Sequence, residues 1–437
     1  MKLPRSYVKT LFTAPLLGLL IAAGLPAFAR DLPKTTPERV GMSSDRLEQI
    51  KKLSESYVAD GKVPGMVTMI AREGKTVHFE ATGTRGLNDN RPLTTDALFR
   101  IYSMTKPIAS VALMMLYEEG HFQLNDPAHK FIPELKALRV YNPDGEPTPA
   151  ERVITMKHLL THTAGLSYGF NPTDPVDKLY NAAKIWESKD LDEFARKVAQ
   201  LPLQFEPGER WHYSVATDFV GLAVQRISGQ PFDTFLRDRI FKPLGMTDTF
   251  FNVPENKRDR FLPNHGWDPQ SKKYIDVTQR TDARRGYESG TLFSGGGGLV
   301  SSTMDYMRFA EMLRNKGQSN GRRLLSPKTV EFMTMNHLPA TLAAAGSGEA
   351  PTVGLGFSQG VGFGLGFAVI TDVAGTAVMS SPGEFSWGGA AGTIFWIDPV
   401  EEIVAIGMIQ LMRSPWSLRS ELKVRTYQAL TELAEAP

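Results

Sequence analysis

The chain has no cysteine in its 437 residues. Disulfides, thiol nucleophiles and lipid attachment to an N-terminal cysteine are therefore excluded, and stability must come from packing alone. An excess of one charge is missing too: 49 Lys and Arg stand against 47 Asp and Glu, and three of the cations are Lys2, Arg5 and Lys9. Without the first 29 residues the balance becomes 46 to 47, which leaves no basic field of the kind that nucleic acid requires. There is no internal repeat. The N-terminal apolar stretch is interrupted by Pro15 and is short for a membrane span of roughly 20 residues. Its cationic start and its small-x-small ending, Ala27-Phe28-Ala29, predict a signal peptide over residues 1–29. The expected location is periplasmic or secreted, with no stable membrane anchor once the signal is removed.

What is present is a hydrophobic fraction of 42%, enough for one large domain or two cooperating ones, each with its own core. Residues 43–61 place Leu47, Ile50, Leu53, Tyr57 and Val58 on one helical face, between a cap at Ser43 or Ser44 and a stop at Gly61. Met66–Ala71 and Thr76–Ala81 flank Glu73-Gly74-Lys75 and predict a β-hairpin. Helical patterns then dominate, over 104–119, 155–164, 190–200, 215–228 and 232–241. Strand patterns return in Phe363–Ile370, Thr376–Ser380, Gly392–Ile397 and Ile403–Met408, ahead of a last helix over 417–433. Strands at both ends of a helical middle predict an α+β fold. In it one antiparallel β-sheet, flanked by N- and C-terminal helices, comes from residues 30–115 and 290–437, and an all-helical domain is inserted over 116–289. A cleft between the two is the natural place for a pocket, with the Gly/Ala/Ser-rich stretch 342–360 as a mobile loop beside it.

The tetrad Ser-x-x-Lys occurs three times, at Ser6–Lys9, Ser103–Lys106 and Ser420–Lys423. The first falls in the signal, and the third lies in a charged terminal helix where both side chains can face water. The middle one is different. Pro107 is tolerated only in a helix's first turn, so the apolar helix marked by Ile108, Val111, Ala112, Met115 and Leu116 must begin close to Ser103. That puts the serine at the positive end of a helix dipole beside free backbone N–H groups. Lys106 shares its face and can reach its hydroxyl, and lost solvation there favours a neutral amine. Gly165-Leu166-Ser167-Tyr168-Gly169 also matches the Gly-x-Ser-x-Gly elbow, which needs a strand before the serine and a helix after it. Residues 156–162 read as helix, and Phe170–Pro175 is not expected to open one, so Ser167 is set aside as nucleophile.

Two further junctions complete a site. Arg210-Trp211-His212-Tyr213-Ser214-Val215 runs into an apolar helix, and Phe385-Ser386-Trp387-Gly388-Gly389-Ala390 runs into the strand Thr393–Ile397; its glycines allow backbone to approach a ligand. In this order the motifs resemble the serine β-lactamase and penicillin-binding protein group. Ser103–Lys106, Leu159–Gly165, Tyr213–Asp218, Pro243–Phe251 and Trp387–Gly389 are most similar to the family VIII carboxylesterases, relatives of class C β-lactamases. The resemblance implies that Ser103 is the nucleophile, that Lys106 and Tyr213 move its proton, and that the amides of Ser103 and Ala390 form the oxyanion hole. Which of Lys106 and Tyr213 is the base stays open.

Where β-lactamases have Tyr-x-Asn this chain has Val215, and where they have Lys-Thr-Gly it has Trp387-Gly388-Gly389. Val215, Trp387, Gly388 and Gly389 are thus expected to form an uncharged substrate wall that favours neutral esters over anionic β-lactams; Trp387 reads equally well as packing. The expected activity is hydrolysis of short-chain or aryl carboxylic esters through an acyl-enzyme, with room for weak β-lactamase activity. A β-lactamase, an acyltransferase and a penicillin-binding or sensing protein without turnover stay open as alternatives. No cofactor or metal is called for. His158 and His162 have the spacing of a zinc pair, but Leu159 stands where a glutamate belongs, and His162 can instead satisfy the carbonyls of the helix end. Gly295–Gly298 lacks the Gly-Lys-Ser/Thr of a phosphate loop and reads as a tight turn before a helix capped near Ser302. Asp218 is expected to orient its loop.

Overall fold

The computed structural model describes residues 31–282, 286–339 and 359–434. The expected signal segment with its Ser6–Lys9 tetrad, and residues 342–358 of the loop expected beside the cleft, lie outside these.

Helix α1 (Ser44–Ala59) starts where Ser43 accepts a hydrogen bond from the Arg46 amide at 3.3 Å. Its apolar face, Leu47, Ile50, Leu53 and Tyr57, is buried. Strands β1 (Gly65–Arg72) and β2 (Lys75–Gly86) form the expected hairpin, with Met69 opposite Phe79. They belong to an eight-stranded sheet with β3 (Asp89–Pro92) and five strands from the far end of the chain: β6 (Val361–Phe363), β7 (Ala368–Ile370), β8 (Phe385–Gly388), β9 (Ile394–Asp398) and β10 (Ile403–Met408). The order is β6-β7-β8-β9-β10-β1-β2-β3, antiparallel throughout. The two ends of the chain therefore meet at the β1–β10 seam, where Val67 faces Met408.

Every residue of β1 is buried, which requires cover on both faces of the sheet. On one face α1 packs with α8 (Leu418–Tyr427) in a cluster holding Ile50, Tyr57, Ile70, Trp396, Leu418 and Leu422. The opposite face is covered by α7 (Thr303–Arg314), capped by Ser302 as expected, and by α2 (Thr105–Glu118). The same cluster continues through α2 into α3 (Met156–Leu160), α5 (Leu191–Val198) and α6 (Ala216–Ser228) of the middle segment. Besides its helices the middle carries two short ribbons, Arg139–Val140 with Thr148–Pro149 and His265–Asp268 with Lys273–Asp276.

Several elements differ from expectation for local reasons. Residues 363–370 are not one strand but the hairpin β6–β7, closed where Gly364 donates to the Phe367 carbonyl at 2.8 Å. Residues 376–380 are not a strand: Val373–Thr376 is a helical turn capped by Asp372, and Ala377 is left-handed at φ 54°. The helix expected over 155–164 stops at Leu160, because His162 is left-handed at φ 55°. Phe170–Pro175 does lead into a helix, α4 (Pro175–Ala182), since Asp174 caps it and Pro175 takes the first helical position. Lys423 does not face water; it is buried against Glu384 at 2.5 Å.

Candidate active site

Short strand β4 (Leu98–Arg100) pairs with β5 (Val300–Ser302) and delivers the chain to Ile101, whose amide bonds the Leu299 carbonyl at 3.1 Å. Tyr102 then takes φ 42°, a single 3-10 turn covers Tyr102–Met104, and α2 begins at Thr105 with Pro107 in its first turn. From Ala97 to Leu116 every residue is buried except Ser103. The fold thus brings one hydroxyl to the surface of an otherwise closed segment, at a helix start. Ser167, by contrast, has no accessible surface.

Lys106 is 1% exposed. Its Nζ is surrounded by three oxygens: Ser103 Oγ at 3.2 Å, Tyr168 Oη at 2.8 Å and the Gly296 carbonyl at 2.6 Å. Tyr213 Oη lies 2.6 Å from Ser103 Oγ, and Lys106 Nζ sits 4.6 Å from the centre of the Tyr213 ring. The two tyrosines are held side by side, ring centres 5.2 Å apart, because their segments are joined by backbone. His212 donates to the His162 carbonyl at 2.9 Å and Val215 to the Ser167 carbonyl at 3.2 Å.

The end of β8 closes the other side. A Cβ at Gly389 would come within 2.4 Å of the Ile101 carbonyl, so only glycine lets this strand press against the serine turn. Neither the Ser103 amide nor the Ala390 amide has a hydrogen-bond partner among the described residues. Trp387 is buried at 4% exposure, with its ring centre 5.6 Å from Tyr213 and 5.3 Å from Phe363. Val215, expected on the substrate wall, has no accessible surface; it and Trp387 shape the site from behind, by packing.

Serine and lysine from the start of α2 and tyrosine from the start of α6 thus converge on the Ser103 hydroxyl beside a glycine-rich strand end. The family model described as Beta-lactamase matches residues 50–429. The chain belongs to the beta-lactamase family. Among relatives in sequence, esterase EstB of Burkholderia gladioli is 31% identical over 363 residues, covering 79% of this chain and 86% of EstB. Lovastatin esterase of Penicillium rubens is 30% identical over 376 residues, covering 82% and 91%. Among solved structures, EstCE1, described as a hydrolase with promiscuous acyltransferase activity, superposes with a TM-score of 0.73 at 24% identity, covering 89% of this chain and 99% of that one. The α+β fold expected from the sequence is the beta-lactamase fold.

In this member of the beta-lactamase family two groups at the lysine were not singled out by sequence reasoning: Tyr168, examined there only as the neighbour of Ser167, and the Gly296 carbonyl. The Gly-rich turn matters because a Cβ at Gly296 would lie 2.4 Å from Asp218 Oδ2 and 2.7 Å from Tyr168 Oη. Asp218 lies in the first turn of α6 and holds the glycine turn rather than a loop of its own: its Oδ1 accepts from Ser294 Oγ at 2.5 Å and from the Gly296 amide at 3.1 Å, and the Gly296 carbonyl meets Lys106. On the far side of the sheet, Arg419 of α8 donates to the Trp387 carbonyl at 2.6 Å and the Phe395 carbonyl at 2.9 Å, fixing β8. The rings of His158 and His162 each take a backbone amide. His158 Nδ1 accepts from the Thr155 amide in a capping box. The ring of His162 takes the Ser214 amide at 3.3 Å rather than the carbonyls of the helix end.

Burial holds these histidines neutral. His158 is pulled down to about 4, as is His78 beside Thr68. His162 falls well below its usual value, the Lys106 charge adding to desolvation. An unfolded chain protonates such rings near their ordinary value of 6.5, so between that pH and 4 the unfolded state binds more protons and stability falls on acidification. His78 and His158 each contribute up to about 3 kcal/mol across that window. Asp305, pushed up to about 6 by burial, works in the opposite sense, as do Glu311 and Glu384, but His212, His265 and His337 side with the first group. The urea midpoint should therefore drop between pH 6.5 and 4.5, and a flat or rising midpoint would contradict this balance.

Proposed function

We propose that the chain is a serine hydrolase of carboxylic esters that works through an acyl-enzyme. The observation that carries this is the solitary exposure of Ser103 with Tyr213 Oη at 2.6 Å and Lys106 Nζ at 3.2 Å. Ser103 Oγ attacks the ester carbonyl carbon while its proton passes to the Tyr213–Lys106 pair. The carbonyl oxygen becomes an oxyanion that the Ser103 and Ala390 amides receive; one such donor is typically worth roughly 2.7 to 4 kcal/mol. As the intermediate collapses, the carbon–oxygen bond to the alcohol breaks and the pair returns the proton to the departing alkoxide. Water then repeats the sequence on the acyl-enzyme, releasing the acid and restoring Ser103.

Esters are favoured over β-lactams because neither Val215 nor Trp387-Gly388-Gly389 offers the amide and the cation that bind a β-lactam's polar groups. The names of EstB and lovastatin esterase support the same reading. Acyl transfer to an alcohol is a second reading, supported by the description of EstCE1. The cationic N-terminus and Ala27-Phe28-Ala29 support export to the periplasm or beyond. The test is turnover of p-nitrophenyl acetate and butyrate alongside nitrocefin, with mass spectrometry of the quenched protein. The p-nitrophenyl esters should be cleaved with the acyl mass on the Ser103 peptide, while nitrocefin reacts far more slowly. Stoichiometric labelling by nitrocefin without ester turnover would replace the hydrolase with a penicillin-binding protein, and added butanol appearing as butyl ester would establish transfer.

A further inference from the structure

Phe170 is the sole aromatic among the exposed large apolar side chains of the described residues, at 51% exposure. It is not loose. Its ring stacks on Tyr168 with centres 4.5 Å apart and planes 6° from parallel, and it lies 6.5 Å from the Tyr213 ring. The segment that carries it is tied to α4 on both sides: Ser167 donates to Asp177, Asn181 Nδ2 donates to the Gly169 carbonyl at 2.9 Å, and the Asn171 amide donates to Asp177 Oδ2 at 2.7 Å. One face of the ring is spent on Tyr168, so the exposed half is a flat apolar ledge held rigidly beside the proton-transfer pair. The stack on Tyr168 accounts for one face of the ring; the other face is open to a flat partner.

The chemistry fixes which end of an ester meets it. The departing oxygen receives its proton from Tyr213 and Lys106 and so lies against Tyr213, and the group attached to that oxygen continues past the Tyr213 ring toward Phe170. The carbonyl oxygen points the other way, to Ser103 and Ala390. We infer that Phe170 is a specificity-determining residue that stacks on the alcohol half of the substrate, and that the preferred substrates are esters of alcohols bearing a planar aromatic ring. This rests on the ester-hydrolase reading above.

The experiment compares kcat/KM for benzyl acetate, cyclohexylmethyl acetate, ethyl acetate and ethyl benzoate in the unmodified protein and in Phe170→Ala, Phe170→Leu and Phe170→Tyr. Benzyl and cyclohexylmethyl esters have leaving groups of similar basicity, so their ratio reads ring recognition rather than chemistry. The unmodified protein should favour benzyl over cyclohexylmethyl acetate by roughly 3- to 10-fold, the range expected for one aromatic stack. Phe170→Ala and Phe170→Leu should erase that ratio, with the loss on benzyl acetate several-fold larger than any loss on ethyl acetate, and Phe170→Tyr should keep it. A ratio that survives in Phe170→Ala, or a loss that falls on ethyl benzoate instead, overturns the inference. If the unmodified protein shows no Ser103-dependent cleavage of any of the four, the ester-hydrolase reading fails and this inference with it.

Discussion

Ser103→Ala removes ester turnover, lowering kcat by about 10⁴-fold or more, as expected when a nucleophile that acts as one unit with its partners is deleted. Ser167→Ala keeps turnover within the same order of magnitude. The contrast follows from access. Ser103 alone reaches solvent in a buried segment and has Tyr213 and Lys106 at its oxygen, whereas Ser167 is sealed and donates its proton to Asp177 with His212 Nε2 at 3.2 Å. Removing that buried hydroxyl leaves a carboxylate short of a donor, so Ser167→Ala should lose stability by about 1–3 kcal/mol. Initial rates on p-nitrophenyl butyrate with thermal melts of both variants check the pair. Activity retained in Ser103→Ala, or lost in Ser167→Ala without unfolding, would transfer the nucleophile to Ser167.

That contrast was partly legible in the sequence. Pro107 announced the start of α2, and with it the exposure of Ser103, because a proline's missing N–H fits only a first turn. The helices α1, α2 and α6 were readable for a related reason: each has one continuous apolar face, and packing only reinforces it. The sheet edge was harder. Phe385–Gly388 is a strand whose sequence mixes glycine, serine and tryptophan with no alternation to see, because Trp387 packs on the aromatic cluster while Gly388 makes room for Arg419 of α8, whose Nη2 would lie 2.9 Å from a Cβ there. Thr376–Ser380 looked like strand by composition, yet Ala377 in a left-handed turn ends that possibility. Tyr168 was hidden because its partner Lys106 is 62 positions away, and no local pattern reports a contact made by tertiary folding.

Tyr213→Phe should cost about 10²- to 10⁴-fold in kcat/KM, the usual scale for a group that transfers a proton in the transition state. Tyr168→Phe should cost about 10-fold or less, the scale of one ordinary hydrogen bond. Both rings are buried and neighbouring, and both substitutions remove one oxygen from an intact aromatic cluster, so folding is not the variable. The difference lies in what each hydroxyl touches: Tyr213 Oη is 2.6 Å from Ser103 Oγ, while Tyr168 Oη acts through Lys106 at 2.8 Å. Pre-steady-state release of p-nitrophenol separates acylation from deacylation, and Tyr213→Phe should slow both. A larger loss in Tyr168→Phe than in Tyr213→Phe would exchange their roles and make Tyr168 the proton carrier.

The seam where Val67 meets Met408 also sets the order of events during synthesis. A nascent chain can form the β1–β2 hairpin as soon as both strands have left the ribosome, but β1 keeps one edge unpaired until residues 403–408 arrive, and pairing across so long a separation is slow. Until then β1 offers an open edge to any other chain. Competence arrives later still, because the strand end carrying Ala390 is braced by Arg419 of α8. A product truncated before α8 would therefore combine an unbraced site with exposed apolar strands: it would be inert and prone to aggregate, and activity would mark chains completed to their last helix.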